Sequence, residues 1–149
     1  MTIETWLPAL LGYLIPIGLF LLAWGGMEPS RARRTSTVGA LAVALGTLGY
    51  FAVGFAFHLG GAGLMSEQPG LEGLTRVFAG EGGLEWGLVG LTGFFLAGDA
   101  STAEVFALFF TYLPLVASVV LLTVLSLSGR ARGWQLVFAG LLAGGGLFP

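Results

Sequence analysis

Uncharged apolar stretches constrain this chain more than any other feature of its sequence. Three of them cover residues 5–27, 35–60 and 105–128, and a fourth covers residues 133–149. A transmembrane helix needs about 20 apolar residues to cross roughly 30 Å of hydrocarbon. The first three stretches reach that length, whereas the fourth is shorter and has no polar flank, as in a helix that is interrupted. We therefore predict an all-α, polytopic integral membrane protein with about four transmembrane helices in a single membrane domain, residues 1–149.

The composition argues against a water-soluble globule. Charged residues make up 9% of the chain and hydrophobic residues 56%, whereas a soluble domain carries roughly 25% charged residues. All six basic residues are arginines and form no basic stripe, so nucleic acid is not an expected partner. The chain has no cysteine, which excludes disulfides and thiolate metal sites. The expected partner is the lipid bilayer.

The arginines predict the orientation of the helices. Five of the six lie in two short connections, after the first and the third apolar stretch: Arg31, Arg33, Arg34, Arg130 and Arg132. Short loops rich in arginine face the cytoplasm. Both connections satisfy this rule if the N-terminus lies outside, and residues 61–104, which hold most of the acidic side chains, then form an extracytoplasmic segment. We expect a bacterial or archaeal cytoplasmic membrane.

Small residues predict how the helices pack. Helices associate in lipid where glycine and other small side chains let two backbones approach closely. The glycines placed to do so are Gly39, Gly46, Gly49 and Gly54 in the second stretch and Gly140 and Gly144 in the fourth. No carboxylate, lysine or arginine lies deep in a predicted span, so a charged relay inside the membrane is not expected.

Two features near the predicted outer surface allow alternative readings. His58, at the outer end of the second stretch, is either a proton carrier or ligand, or an interfacial anchor. The phenylalanines of residues 105–114 form either an aromatic belt or a hydrophobic plug at the mouth of a pore. Pro114 is expected to kink the third helix. Residues 86–98 are apolar but too few to cross, and are expected to lie at the interface or fold back onto the helices.

The order of the motifs resembles the ammonium transporter (Amt/Rh) family over nearly the whole chain. Five short motifs carry the resemblance in the family's order: GGM (25–27) with Arg33 and Arg34, YFAVGFAFHLGG (50–61), GLTGFFLAG (90–98), SGRAR (128–132) and LFP (147–149). They resemble the end of the first helix and its basic turn, the end of the second helix, the outer loop, the A-E-R-x-x-F turn and the I-Y-P ending of the next helix. The resemblance implies an Amt-like N-terminal half.

The family's fold supplies expectations for the site. Its members enclose a pore between two inverted five-helix repeats, with phenylalanines over the outer mouth and one pore histidine from each repeat. The resemblance places the phenylalanine gate on Phe106, Phe109 or Phe110. The glutamine that follows the gate and the glutamate of A-E-R are absent, the first pore histidine would come after residue 149, and His58 lies in a different span.

Two functions of different class are therefore expected. In the first, the chain is an Amt-like channel or transporter subunit for ammonium or ammonia, incomplete or split, which lacks its pore histidines and conducts only with a complementary half. In the second, it is a non-transporting integral subunit that packs within a larger membrane complex. A homo- or hetero-oligomer is expected in both, since the family forms trimers. No catalytic set or phosphate loop is present, so neither an enzyme nor a cofactor is expected.

Overall fold

The computed structural model describes residues 7, 10–60, 78–79, 85–86 and 93–148, and helices account for nearly all of them. The four helices are α1 Leu14–Gly25, α2 Pro29–Leu59, α3 Ala103–Leu127 and α4 Gly133–Leu147. Within this part of the chain α2 and α3 are long and apolar enough to cross a membrane, and α1 and α4 are shorter apolar helices. The predicted all-α fold is confirmed, while four crossings and their orientation stay predictions.

A short β pairing lies between α2 and α3. Strand β1 Phe78–Ala79 runs antiparallel to β2 Glu85–Trp86, with Phe78 opposite Trp86. Most of residues 61–92 fall outside the described part of the chain, so the extracytoplasmic position of residues 61–104 stays a prediction. Two 3₁₀ turns, Phe94–Leu96 and Gly98–Ala100, lead from there to α3.

Helix α2 begins at Pro29 rather than at residue 35. Proline suits the first turn of a helix, because its φ is already helical and the missing N–H would have no helical partner there. The arginines at positions 31, 33 and 34 consequently lie in the first two turns of α2 and not in a loop. The basic connection predicted from the sequence is therefore mostly helical.

Helix α3 begins at a capped end and continues through its proline. The Thr102 side chain accepts a hydrogen bond of 3.3 Å from the backbone N–H of Val105, which satisfies one of the free donors of the first turn. The helix runs on past Pro114 to Leu127, and the Ser118 hydroxyl donates to the Pro114 carbonyl at 2.7 Å. The proline does not end the helix, and the kink expected from it stays a prediction.

Helices α2 and α4 each contain one wider, π-helical turn. The turns are Tyr50–Gly54 and Ala143–Leu147, and they lie against each other. In each, a backbone N–H donates to the carbonyl five residues earlier, as Phe148 does to Ala143 at 3.0 Å. Such turns are rare and occur frequently at functional sites.

Helices α2 and α4 pack backbone against backbone along a glycine seam. The seam consists of Gly46, Gly49 and Gly54 of α2 and Gly140 and Gly144 of α4. A Cβ added to Gly46 would lie 2.8 Å from the Gly140 carbonyl oxygen, and one added to Gly144 would overlap the backbone of Gly46. No side chain larger than hydrogen fits there, which confirms the predicted close approach. Gly39 lies outside the seam, because a Cβ added there would find its nearest atom, the Leu121 Cδ2, at 3.8 Å.

Helix α3 fills the middle of the bundle. Val116, Val120 and Val124 have no exposed surface. The outer faces of α1 and α4 carry large exposed apolar side chains, such as Leu22 and Leu147, which are 78% and 76% exposed. Apolar surface of this extent is rare on water-soluble proteins, whereas lipid accommodates it.

Candidate functional site

Six aromatic side chains from three helices meet at one end of the bundle. This aromatic cluster consists of Tyr50, Phe55 and His58 of α2, Phe109 and Tyr112 of α3, and Phe148 directly after α4. The end of α2, the beginning of α3 and the end of α4 coincide here, because α3 runs antiparallel to the other two. Tyr50 begins the wide turn of α2, and Phe148 directly follows the wide turn of α4.

Tyr50 is the centre of the aromatic cluster. Its side chain is fully buried. Its ring stacks on Phe109 with centroids 5.6 Å apart and planes inclined by 18°. Phe55 and Phe148 meet it edge-on at 5.9 and 5.5 Å. These are favourable aromatic geometries, so the position of the Tyr50 hydroxyl is fixed by rings from three helices.

His58 is the polar partner of Tyr50. Its Nδ1 lies 3.0 Å from the Tyr50 hydroxyl oxygen, and which of the two atoms donates depends on the histidine tautomer. The half-buried imidazole also meets the rings of Tyr112 and Phe148 edge-on at 4.8 and 5.3 Å. The imidazole is thus turned into the aromatic cluster, and both readings of His58 stay predictions.

The three phenylalanines proposed as a gate occupy different positions. Phe109 is buried in the aromatic cluster, where its ring contacts Tyr50 and Phe55. Phe110 is 41% exposed and touches the Phe109 ring at 5.6 Å. Phe106 is 37% exposed. Of the three, Phe109 alone is a member of the aromatic cluster.

The turn before α3 covers one side of the aromatic cluster. Leu96 is buried, and the rings of Phe94 and Phe95 lie edge-on against Phe57 and Phe51 of α2 at 5.8 and 6.2 Å. The described part of the apolar segment, residues 93–98, thus folds back onto the helices as predicted. Phe95 and Leu96 have φ angles of 56° and 51°, a strained conformation for residues other than glycine.

The arginines of the described residues gather at the opposite end of the bundle. Arg31 and Arg34 of α2 line the same cavity as Ser128 and Gly129 of the turn between α3 and α4. That turn, residues 128–132, also carries two exposed arginines, at positions 130 and 132. The structure therefore brings both predicted arginine groups to one end, as a common cytoplasmic side requires.

Sequence reasoning missed Tyr50, which is the hub of the site. A tyrosine inside an apolar stretch carries no spacing signal that links it to a histidine eight residues later. Within the described residues no three His, Cys, Asp or Glu side chains lie together in a way that could hold a metal. Comparisons with protein-family models, curated proteins and solved structures find no match for this chain.

Proposed function

We propose that this protein is a membrane subunit of an Amt-like channel or transporter for ammonium or ammonia, and that the aromatic cluster forms part of the substrate path. The observation that carries the proposal is the hydrogen-bonded Tyr50–His58 pair enclosed by aromatic rings. A polar pair inside an apolar segment of a membrane helix is costly, and such groups commonly serve function.

The chemistry of the aromatic cluster suits a small nitrogen cation. Aromatic faces attract a cation with about 0.5–2 kcal/mol, most strongly where water is excluded. The Tyr50 hydroxyl and the His58 imidazole offer hydrogen-bonding atoms for N–H donors. In this proposal Phe109, which stacks on Tyr50, opens or closes access to this pair. Ammonium recognised by rings and then held by a hydrogen bond is the expected sequence of events.

The substrate path requires a second bundle. The glycine seam brings α2 and α4 into backbone contact, and α3 fills the remaining interior with valines. In this proposal the path through the aromatic cluster runs along an outer surface of the described helices, and another bundle completes it. Transporters built from inverted repeats place their sites at such an interface, so we propose that the subunit works in a homo- or hetero-oligomer.

A non-transporting subunit is the second proposal, and the glycine seam favours it. A seam of this kind serves packing alone, and the outward apolar side chains of α1 suit burial against another membrane protein. In this alternative, the Tyr50–His58 pair only stabilises the end of α2. The two proposals differ in whether ammonium moves.

The test is an ammonium-evoked current from the assembly purified out of native membranes and reconstituted into liposomes on a solid-supported membrane. Tyr50→Phe keeps the ring and removes the hydroxyl that contacts His58. We expect it to lower the current about threefold, the factor corresponding to about 0.6 kcal/mol for a hydrogen bond in a membrane. Tyr13→Phe, which removes a tyrosine hydroxyl outside the aromatic cluster, is the matched control and should leave the current unchanged.

A native assembly that shows neither an ammonium-evoked current nor faster alkalinisation of the liposome interior by neutral ammonia would overturn the transport proposal and favour the packing subunit. The gate is tested separately with Phe109→Leu and Phe106→Leu on the same helix. Because Phe109 alone of the two lies in the aromatic cluster, the first variant should change the current and the second should not. Equal effects of the two would remove Phe109 from the gate. The intact mass of the same assembly identifies the bundle that completes the path.

A further inference from the structure

A cavity of about 280 Å³ opens at the arginine end of the bundle. One wall is a single face of α2, formed by Arg31, Arg34, Thr35 and Val38, whose spacing of three, four and seven residues places them above one another. The opposite wall comes from the α3–α4 turn and the start of α4, including Ser128 and Leu136. The cavity is therefore cationic and hydroxylated on one side and apolar toward the bundle.

Electrostatics leave this cavity short of negative charge. Arg31 and Arg34 stand three residues apart on one face, where like charges repel. Both lie in the first turns of α2, close to the positive end of the helix dipole. The N-cap residue Glu28 is acidic but does not line the cavity, and neither the first turn of α2 nor the cavity wall contains an acidic residue. In the described part of the chain, no ion pair holds either guanidinium. An anion bound between the two guanidinium groups would offset their mutual repulsion and their unfavourable position at the positive end of the helix dipole.

We propose that the cavity binds the phosphate of an anionic phospholipid headgroup. Guanidinium groups hold phosphate oxygens in a bidentate geometry, and basic pockets between membrane helices on the cytoplasmic side bind such headgroups. Val38 and Leu136 make one part of the cavity wall apolar, which suits the beginning of the acyl chains. The site stands apart from the aromatic cluster and does not depend on ammonium transport.

Native mass spectrometry of the full chain in detergent tests the proposal by counting bound lipids. The detergent-solubilised protein is titrated with phosphatidylglycerol, with phosphatidylcholine and with inorganic phosphate. We expect phosphatidylglycerol to bind at least about tenfold more tightly than phosphatidylcholine, a free-energy difference of about 1.4 kcal/mol. Equal binding of the two lipids would overturn the proposal. Displacement of phosphatidylglycerol by inorganic phosphate at equal concentration would also overturn it, since the site would then take free phosphate.

Two double variants separate the cavity from the general positive charge of this end. Arg31→Gln with Arg34→Gln should abolish the lipid preference. Arg33→Gln with Arg130→Gln removes the same charge from exposed positions that do not line the cavity, and should keep the preference. Equal losses in the two variants would show diffuse attraction and contradict a built site.

A third variant guards against misfolding. Arg31→Lys with Arg34→Lys keeps the charge and removes the bidentate fork. It should retain circular dichroism like that of the natural chain and lose part of the preference. Full retention of the preference would show that charge alone suffices, and would overturn the proposed bidentate contacts.

Discussion

The two ends of α2 differ in charge and in packing. The first turns carry Arg31 and Arg34, whose guanidinium groups line an open cavity. The last turns carry Tyr50, Phe55 and His58, whose rings are packed among rings of α3 and α4. The arginine end, called the open end below, is charged and borders a cavity. The aromatic end, called the filled end below, is nearly neutral and densely packed. The glycine seam lies between the two and joins α2 to α4.

This contrast underlies both the predicted orientation of α2 and the proposed site. Arginines at one end set which side of the membrane that end prefers, because moving them through hydrocarbon is costly. Rings at the other end fix a hydroxyl and an imidazole where few other polar groups compete for them. Substitutions at the filled end should therefore be costly, and matched substitutions at the open end should be mild.

The largest expected difference in stability is between glycine-to-alanine substitutions at the two ends of α4. A Cβ on Gly144 would overlap the Gly46 backbone, whereas a Cβ on Gly133 would find its nearest atom, the Val38 Cγ2, at 3.7 Å. Gly144→Ala should lower the free energy of unfolding by about 3 kcal/mol, the upper end of the usual cost of overpacking. Gly133→Ala should change it by less than about 0.5 kcal/mol.

Unfolding by sodium dodecyl sulfate in mixed micelles, followed by circular dichroism, measures both variants. A Gly144→Ala protein as stable as the natural chain would mean that α2 and α4 do not touch as described. The contrast between the filled end and the open end would then fail.

A smaller effect is expected from deleting rings of α3. Phe109→Ala leaves a cavity among Tyr50, Phe55 and the other rings and should cost about 2 kcal/mol. This is less than the roughly 3–5 kcal/mol of soluble cores, since no transfer from water is lost. Phe106→Ala, a partly exposed ring on the same helix, should cost less than about half as much. The same detergent unfolding measures both variants. Equal losses of stability would show that Phe109 is packed no more tightly than Phe106.

The smallest effect is expected from the hydroxyl of Tyr50. Tyr50→Phe should cost about 0.6 kcal/mol, the average for side-chain hydrogen bonds in membranes. It should also shift the imidazole nitrogen resonances of His58, the one histidine of the chain. Tyr112→Phe should leave the Nδ1 resonance in place. An unshifted Nδ1 resonance in Tyr50→Phe would show that the pair is not hydrogen-bonded.

The sequence predicted helices and singled out the glycines of the seam because those features are local. Uncharged length locates a membrane helix, and glycine at positions such as Gly46 and Gly144 has few other uses within one. The pattern did not reveal that these two glycines face each other, because pairing depends on how far each helix slides along its partner. Helix α2 begins six residues before the uncharged stretch at residue 35, because Pro29 suits a first helical turn and the arginines after it are charged but helical in conformation.

The aromatic cluster was predictable only in part. The phenylalanines of α3 and the lone His58 stood out as candidates from composition. Their convergence on Tyr50 depends on wide turns in α2 and α4, for which the sequence offers no periodic signal. Residues eight apart on an α-helix are about 12 Å apart along its axis, so spacing gives no reason to pair Tyr50 with His58.

Cysteine labelling measures most directly whether the two ends of α2 face opposite sides of a membrane. The chain has no native cysteine, so Ser30→Cys at the arginine end and Ser101→Cys beside the aromatic cluster each create a single exposed thiol. With a membrane-impermeant maleimide on intact cells, we expect residue 101 to be labelled at once and residue 30 only after the membrane is opened. Labelling of both in intact cells, or of residue 30 alone, would contradict a bundle that spans the membrane with its arginines in the cytoplasm.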